Sequence, residues 1–401
     1  MKLRTLNNVV LKGQRILVRA DLNVPTQGGK VTDATRIERW AAGMRPLLQA
    51  GARLIIVTHM GRPNRTIDPT LSVDKLRPAL SKALGTEVRF SDVCAGYSAE
   101  LLTKQLANGE ALLCENLRFN PGEEQNVDAF AQQLARLGDI YVNDAFSCAH
   151  RAHASTAAIT KYLPSYAGPL FVEEIEALSK ALEAPDHPAV AIVGGAKVSS
   201  KISVLKNLVQ KLDHVIIGGG MANTFLYAEG APMGRSLHEA DQIATVRDIQ
   251  QLAAQSGCQI HLPRDVVVAE EFATNAKHHV VAANNCPIDG LILDAGPDAL
   301  ADFKTVLAEC HTILWNGPLG AFEMKPFDRA TVGLAQAAAQ LTTRLGVTTI
   351  VGGGDTVAAL NEAHVSEQFS YVSTAGGAFL EWLEGKTLPG VTALQDAAKA
   401  A

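Results

Sequence analysis

Basic side chains stand just beyond four apolar runs in the first part of the chain. The runs end in Arg19-Ala-Asp21-Leu22-Asn23, in Thr58-His59-Met60-Gly61-Arg62, in Glu115-Asn-Leu-Arg118, and in Asn143-Asp144 with His150 and Arg151 shortly after; Arg36 follows the first across a short loop. If the runs are parallel strands, their carboxyl ends share one edge of a sheet, where open α/β folds bind ligands. Arg36, Arg62, Arg118 and Arg151, with His59 among them, would repel one another there unless an anion neutralised them. The planar fork of arginine suits phosphate and carboxylate, and Asp21 and Asn23 add acceptors for a ligand hydroxyl. Taken singly, each Arg reads as an ordinary surface ion pair. At equivalent positions on four strands, they share one simple neutraliser, a small multiply charged anion. Cys148, His150 and His153 have a spacing open to zinc, with Arg151 in their midst opposing a second cation.

The second half carries a different set. Four apolar runs lead straight into glycine clusters: Gly194-Gly195-Ala-Lys197, Gly218-Gly-Gly220, Gly352-Gly353-Gly354-Asp355 and Ala375-Gly376-Gly377. Glycine lets backbone N–H groups crowd a bulky anion, and a following helix N-terminus adds donors and partial positive charge. Lys197 and Lys201, four apart, are predicted on one face of a helix just past its start, an unfavourable place for cations unless a phosphate compensates. Asn316 and Glu323 follow another run; Glu323 is either an acceptor for ribose hydroxyls or an ordinary N-terminal helix acid. Asp355, beside Thr356, is either an N-cap or the single carboxylate that Mg²⁺ typically takes from a protein. Together these residues point to a polyphosphate and a divalent metal. Neither the P-loop pattern nor the Rossmann Gly-x-Gly-x-x-Gly after a first strand is present, which disfavours a nicotinamide-dependent oxidoreductase.

Apolar β-branched runs must position these groups: Arg15–Leu22, Arg53–His59, Ala111–Glu115 and Ile140–Asp144, then Ala189–Gly194, His214–Ile217, Gln259–Leu262, Thr312–Trp315, Thr348–Val351 and Tyr371–Val372. Continuous apolar strands alternating with amphipathic stretches predict βαβ units and parallel sheets. At 401 residues the chain exceeds what one core sustains. Breaks at Leu163–Pro169 and Ala184–Pro188 flank an amphipathic stretch, Leu170–Leu182. The expectation is α/β: two doubly wound parallel-sheet (Rossmann-like) domains joined by a long helix and hinge. The boundaries are 1–167, a linker at 168–185, and 186–386.

Residues 1–160 hold 20 Lys and Arg against 15 Asp and Glu, and 14 of the 20 are Arg. The overall charge is −5, so the rest of the chain carries the acid excess. There is no basic run or aromatic–basic stripe, which argues against nucleic acid. No apolar run approaches a membrane span. The amino terminus lacks a signal core and the six cysteines lack paired short spacings, so a cytoplasmic protein with reduced thiols is expected.

Seven segments, in order, resemble phosphoglycerate kinase: Val18-Arg-Ala-Asp-Leu-Asn-Val-Pro25, His59-Met-Gly-Arg-Pro63, Glu115-Asn-Leu-Arg-Phe119, Asp144 through Ser155, Gly194-Gly-Ala-Lys-Val-Ser-Ser-Lys201, Trp315 through Glu323, and Gly352-Gly-Gly-Asp-Thr356. The resemblance runs from about Leu11 to Gly390. It implies a monomeric hinge enzyme that moves the acyl phosphate of 1,3-bisphosphoglycerate to ADP, giving 3-phosphoglycerate and ATP. Carried over by position, Asp21, Leu22, Asn23, Arg36, His59, Met60, Gly61, Arg62, Arg118 and Arg151 bind 3-phosphoglycerate. Lys201, Asn316, Glu323, Gly353, Gly354, Asp355 and Thr356 bind ATP or ADP, with Asp355 on Mg²⁺. Arg36, Lys197 and the Gly376-Gly377 amides stabilise the phosphoryl group in flight. The resemblance also implies that a tail, 387–401, returns to the first domain. One departure is Ala375 where the family often has a third glycine, a strained turn if that residue needs positive φ. The rival reading is a two-lobed phosphate-ligand binding protein without catalysis.

Overall fold

The computed structural model describes residues 3–399. The chain forms two compact units, Met1–Ile175 with Thr387–Ala401, and Glu176–Lys386. The expected boundaries that reach residues 1, 2, 400 and 401 run outside the described residues.

The first unit is built on β1 (Arg15–Ala20), a small hairpin of β2 (Thr26–Gln27) and β3 (Lys30–Val31), β4 (Arg53–Val57), β5 (Val88–Ser91), β6 (Ala111–Cys114), β7 (Ile140–Asp144) and β8 (Ser165–Ala167). Six of these make one parallel sheet in the order β5-β6-β4-β1-β7-β8. The central strands are buried on both faces because helices cover both sides. The helix Thr35–Gln49, for example, buries Ile37, Trp40, Ala41, Met44, Leu47 and Leu48 along one stripe. That stripe meets Ile16, Val18, Leu54 and Ile56 in one core. The helix Pro389–Lys399 packs onto this unit, with Gly390 N–H donating to Ala149 C=O at 2.8 Å.

The second unit contains β9 (Ala189–Val193), β10 (His214–Ile217), β11 (Gln259–His261), β12 (Asp265–Ala269), β13 (His278–Ala282), β14 (Leu291–Ala295), β15 (Thr312–Asn316), β16 (Thr348–Val351) and β17 (Tyr371–Val372). Its parallel sheet runs β11-β10-β9-β15-β16-β17, the doubly wound order in which the first strand lies at the centre. Two doubly wound parallel sheets match the sequence expectation. The difference is a separate antiparallel sheet, β13-β12-β14, which lies outside the runs expected as strands. The expected break at Leu163–Pro169 also contains a three-residue edge strand, β8, paired only to β7. No helix among the described residues is long and apolar enough to cross a membrane.

In each sheet the chain moves out to one side and then returns to the other. The reversal falls between β1 and β7 in the first unit and between β9 and β15 in the second. A crevice opens at such a switch point, beyond the carboxyl ends of the strands.

Candidate functional site

At the switch point of the first unit a pocket of about 240 Å³ is lined by Asp21, Asn23, His59, Gly61, Arg62, Arg118, Ser147, Cys148, His150, Arg151 and His153. Asp21, just past β1, accepts from Arg36 Nη1 at 3.0 Å and from Ser147 Oγ at 2.5 Å. Burial pushes its pKa up, but Arg36, His59 and the Ser147 hydrogen bond outweigh burial and hold it below the ordinary carboxylate value. Arg36 Nη1 also donates to Asn23 C=O at 3.2 Å. Asn23 Oδ1 takes the N–H of Gly61 at 3.2 Å, and Arg118 Nη1 donates to Gly61 C=O at 2.6 Å. Three strand ends are thereby tied together around the opening. Arg62 and Arg151 are exposed and have no side-chain hydrogen bond or ion pair among the described residues. Leu22 and Met60 are buried and support the pocket from beneath: Leu22 N–H donates to Thr58 Oγ1, and Met60 C=O accepts from Asn116 Nδ2.

At the switch point of the second unit a cavity of about 490 Å³ is lined by backbone at Gly195, Ala196, Gly219 and Gly220, by apolar side chains including Leu237, Phe272, Leu293 and Phe322, and by Glu323 and Asp355. A largely apolar hollow with a few polar groups at its edge suits a nucleoside. Behind it the strand ends close in on one another. A Cβ on Gly194 would lie 1.8 Å from Pro318 C=O, so only glycine allows β9 and β15 to converge there. Gly353, at φ +100°, would put a Cβ 2.6 Å from Asn316 Nδ2. Asn316 Nδ2 donates to Gly352 C=O at 2.8 Å, and Gly317 N–H donates to Thr356 Oγ1 at 2.7 Å.

Lys201 is locked into this layer. Its ammonium donates to Gly194 C=O at 2.7 Å, Asn316 C=O at 3.0 Å and Asn316 Oδ1 at 2.7 Å. Burial lowers its pKa to about 8, with Asp355 pulling the other way. Lys197, in contrast, is exposed, and its ammonium has no protein partner among the described residues.

Three local expectations change. Lys197 and Lys201 do not share a helix face, because Val198–Ser200 form a 3₁₀ turn and the helix Ile202–Leu208 begins after Lys201. The oxygens at the convergence of β9 and β15 hold Lys201 in place ahead of the helix. Asp355 is not an N-cap: Gly353 holds that position, and Asp355 lies in the first turn of the helix Gly354–Glu362. Glu323 is not in a helix first turn either, since the next helix begins at Arg329. Ala375 adopts no positive φ, so that turn is unstrained; Gly376 takes φ +55° and opens the helix Gly377–Leu383.

The residues expected to hold the small anion therefore all lie in the first unit, and those expected to hold the polyphosphate in the second. Sequence reasoning missed Ser147, the apolar lining that includes Phe272 and Leu293, and a buried group beneath the first pocket. That group comprises Arg19, Glu123 and Ser155. A charged residue inside the otherwise apolar run Ile16–Ala20 was the one available signal for it.

Two doubly wound units, one with a compact cationic pocket and one with a nucleoside-sized hollow beside a glycine-rich strand edge, define a two-site α/β phosphate-handling protein. A family model for phosphoglycerate kinase matches residues 6–386. The chain is 53% identical to a phosphoglycerate kinase of Ruegeria sp. over 98% of this chain and 99% of that one. It is 52% identical to one of Methylorubrum populi, covering 98% of each. The solved phosphoglycerate kinase structure from Coxiella burnetii superposes with a TM-score of 0.92 at 42% identity, covering 98% of this chain and 99% of that one. That from Pyrococcus horikoshii gives 0.81 at 27%, covering 99% and 100%. The chain belongs to the phosphoglycerate kinase family, enzymes of reversible phosphoryl transfer between 1,3-bisphosphoglycerate and ADP. That membership disfavours the non-catalytic alternative.

Proposed function

We propose that the pocket of the first unit binds 3-phosphoglycerate or its 1-phosphorylated form, and that the cavity of the second binds the adenine nucleotide with Mg²⁺. The observation that carries this reading is the unpartnered pair Arg62 and Arg151 at the mouth of a pocket that also holds Arg118 and His59. Two guanidinium groups at one mouth without a protein counter-ion call for an anionic ligand. Asp21 and Asn23 supply acceptors for the 2-hydroxyl, and Glu323, lining the second cavity, supplies one for ribose.

Mg²⁺ fits as a guest of the nucleotide. Asp355 is exposed, with no hydrogen bond or ion pair among the described residues, and these contain no cluster of three His, Cys, Asp or Glu able to hold a metal. A lone carboxylate suits a cation that keeps phosphate and water as its other ligands. When bound, Mg²⁺ supplies neutralising charge to the phosphates, and Asp355 would hold it.

In the transfer, a β-phosphate oxygen of ADP attacks the phosphorus of the acyl phosphate. The new P–O bond forms as the P–O bond to the acyl oxygen breaks, and a carboxylate leaves. No proton need move, so the work left to the chain is alignment and charge neutralisation. Arg36, already oriented by Asp21 and Asn23, Lys197, and the amides of Gly376 and Gly377 take the charge of the three equatorial oxygens. In-line attack demands that both ligands meet away from water, so a hinge motion that brings them together belongs to the proposed cycle. A monomer acting in the cytoplasm completes the reading.

A coupled assay with 3-phosphoglycerate, MgATP, glyceraldehyde-3-phosphate dehydrogenase and NADH tests it. NADH loss should require Mg²⁺, and Lys197→Ala or Arg36→Ala should lower kcat about 10²-fold or more with a smaller change in KM. Full activity in both variants would remove these residues from the proposed machinery.

A further inference from the structure

Beneath the first pocket lies a charged chain of residues that cannot touch the ligand. Arg19, on β1, is fully buried, at 0% exposure, and does not line the pocket. Its Nε donates to Ser155 Oγ at 3.0 Å, its Nη1 to Ala20 C=O, and its Nη2 to Cys148 Sγ at 3.4 Å. The same Nη2 lies 3.0 Å from His59 Nδ1. Behind it, the buried carboxylate of Glu123 accepts the Ser155 hydroxyl at 2.6 Å and the Ser155 N–H at 3.0 Å. Glu123 balances the guanidinium charge, so the pair can stay buried.

A guanidinium has donors only, so the ring nitrogen facing it must be the acceptor. His59 Nδ1 is therefore bare. A neutral imidazole has one N–H, which then sits on Nε2, and protonating both nitrogens would set an N–H against an N–H. We propose that Arg19 is a positioning residue that fixes His59 as the Nε2–H tautomer, so that the pocket offers its anionic ligand a neutral donor in addition to its arginines. This rests on the reading of His59 as a 3-phosphoglycerate contact.

The surroundings support it. The charged and titratable groups facing His59 are Arg19, Asp21, Arg118 and His153. Burial and the Arg19 charge hold the imidazole well below its ordinary range; only Asp21 opposes them. Asp21 is already engaged by Arg36 and Ser147. With Nδ1 protonated instead, the lone pair of Nε2 would meet an anionic oxygen.

The first test uses the intact wild-type protein labelled with ¹⁵N-histidine, its His59 signals assigned by their loss in His59→Gln. Multiple-bond ¹H–¹⁵N spectra should show a protonated Nε2 and a bare Nδ1, unchanged from about pH 5 to 9, across the range where an ordinary histidine titrates. An Nδ1–H signal, or a midpoint within that range, overturns the proposal and leaves the kinase reading intact. Kinetics then test the consequence. In Arg19→Gln, checked for folding by thermal melt, KM for 3-phosphoglycerate should rise about tenfold, the value of one hydrogen bond to a charged group, with kcat within about threefold. That KM should also become pH-dependent near the ordinary histidine value.

Arg19→Gln made in the His59→Gln background should add less than about twofold, because both changes remove the same donor. Additive effects mean that Arg19 acts by another route and overturn the proposal. An unchanged KM in His59→Gln removes the ligand contact on which the proposal stands, and the proposal with it. If Arg19→Gln does not fold, the wild-type spectra decide alone.

Discussion

Replacing Lys201 with Met should leave the fold about as stable as before while crippling nucleotide binding. The Lys201 ammonium is buried with a pKa lowered to about 8 from 10.5. A drop of that size corresponds to about 3 kcal/mol of burial penalty at neutral pH, which a methionine does not carry. Against that gain, the substitution removes the donor shared by Gly194 C=O, Asn316 C=O and Asn316 Oδ1. Asn316 C=O keeps a partner, since it also accepts from Gly194 N–H at 3.1 Å. At roughly 1–3 kcal/mol for leaving buried acceptors unpaired, the two effects nearly cancel, and unfolding free energies from urea melts at pH 7 should differ by about 1 kcal/mol or less. A lysine whose folded pKa lies below its unfolded value costs stability at low pH, and that cost fades as pH rises through about 8 toward 10.5. Wild type should therefore gain on the variant above pH 8. Binding behaves differently. A phosphate facing Lys201 would favour the charged form, so ADP binding should draw in about 0.5 proton at pH 8 and about 0.9 at pH 9, with affinity falling up to tenfold per unit above 8. Titration calorimetry in two buffers of different ionisation enthalpy reads that uptake directly. Lys201→Met should show none of it and bind ADP about 10–100-fold more weakly. A variant that loses more than about 3 kcal/mol yet binds ADP normally would make Lys201 a structural staple and refute the reasoning.

Gly353→Ala should destabilise the second unit by about 1–3 kcal/mol, because φ is +100° and the new Cβ would press on Asn316 Nδ2. Its KM for ATP should rise about tenfold while KM for 3-phosphoglycerate stays put; a rise in both would place the effect elsewhere. Asp144, which accepts from Phe171 N–H at 3.1 Å at the start of the helix Pro169–Leu182, has its pKa raised to about 6 by burial, and its Oδ2 has no hydrogen-bond partner. The folded pKa exceeds the unfolded value, so the carboxyl costs stability above about pH 6 and nothing below about 4. Asp144→Asn should thus raise stability by about 3 kcal/mol at pH 8, and the gain should vanish by pH 4; equal urea midpoints at pH 8 would refute it.

What the sequence made legible follows from how locally each feature is determined. Strands β1, β4, β6 and β7 are continuous apolar runs because both of their faces are covered, and the cations beyond them mark the sheet edge whatever the loops do. The strand β13 gave no such signal because its five residues are exposed or half-exposed, so no apolar run forms. Lys197 and Lys201 have helical spacing. Lys201 is nevertheless held by oxygens supplied from Asn316, 115 residues away, and no local rule contains that information. Arg19 is the instructive intermediate. A guanidinium within Ile16–Ala20, a strand buried on both sides, has to find partners in the folded state. The need was therefore visible in the sequence, though the identity of the partners was not. Ser155 lies 136 positions downstream of Arg19 and His59 lies 40. A buried charge in an apolar strand thus predicts that a network exists, and only the topology, by placing β7 beside β1, says which residues complete it.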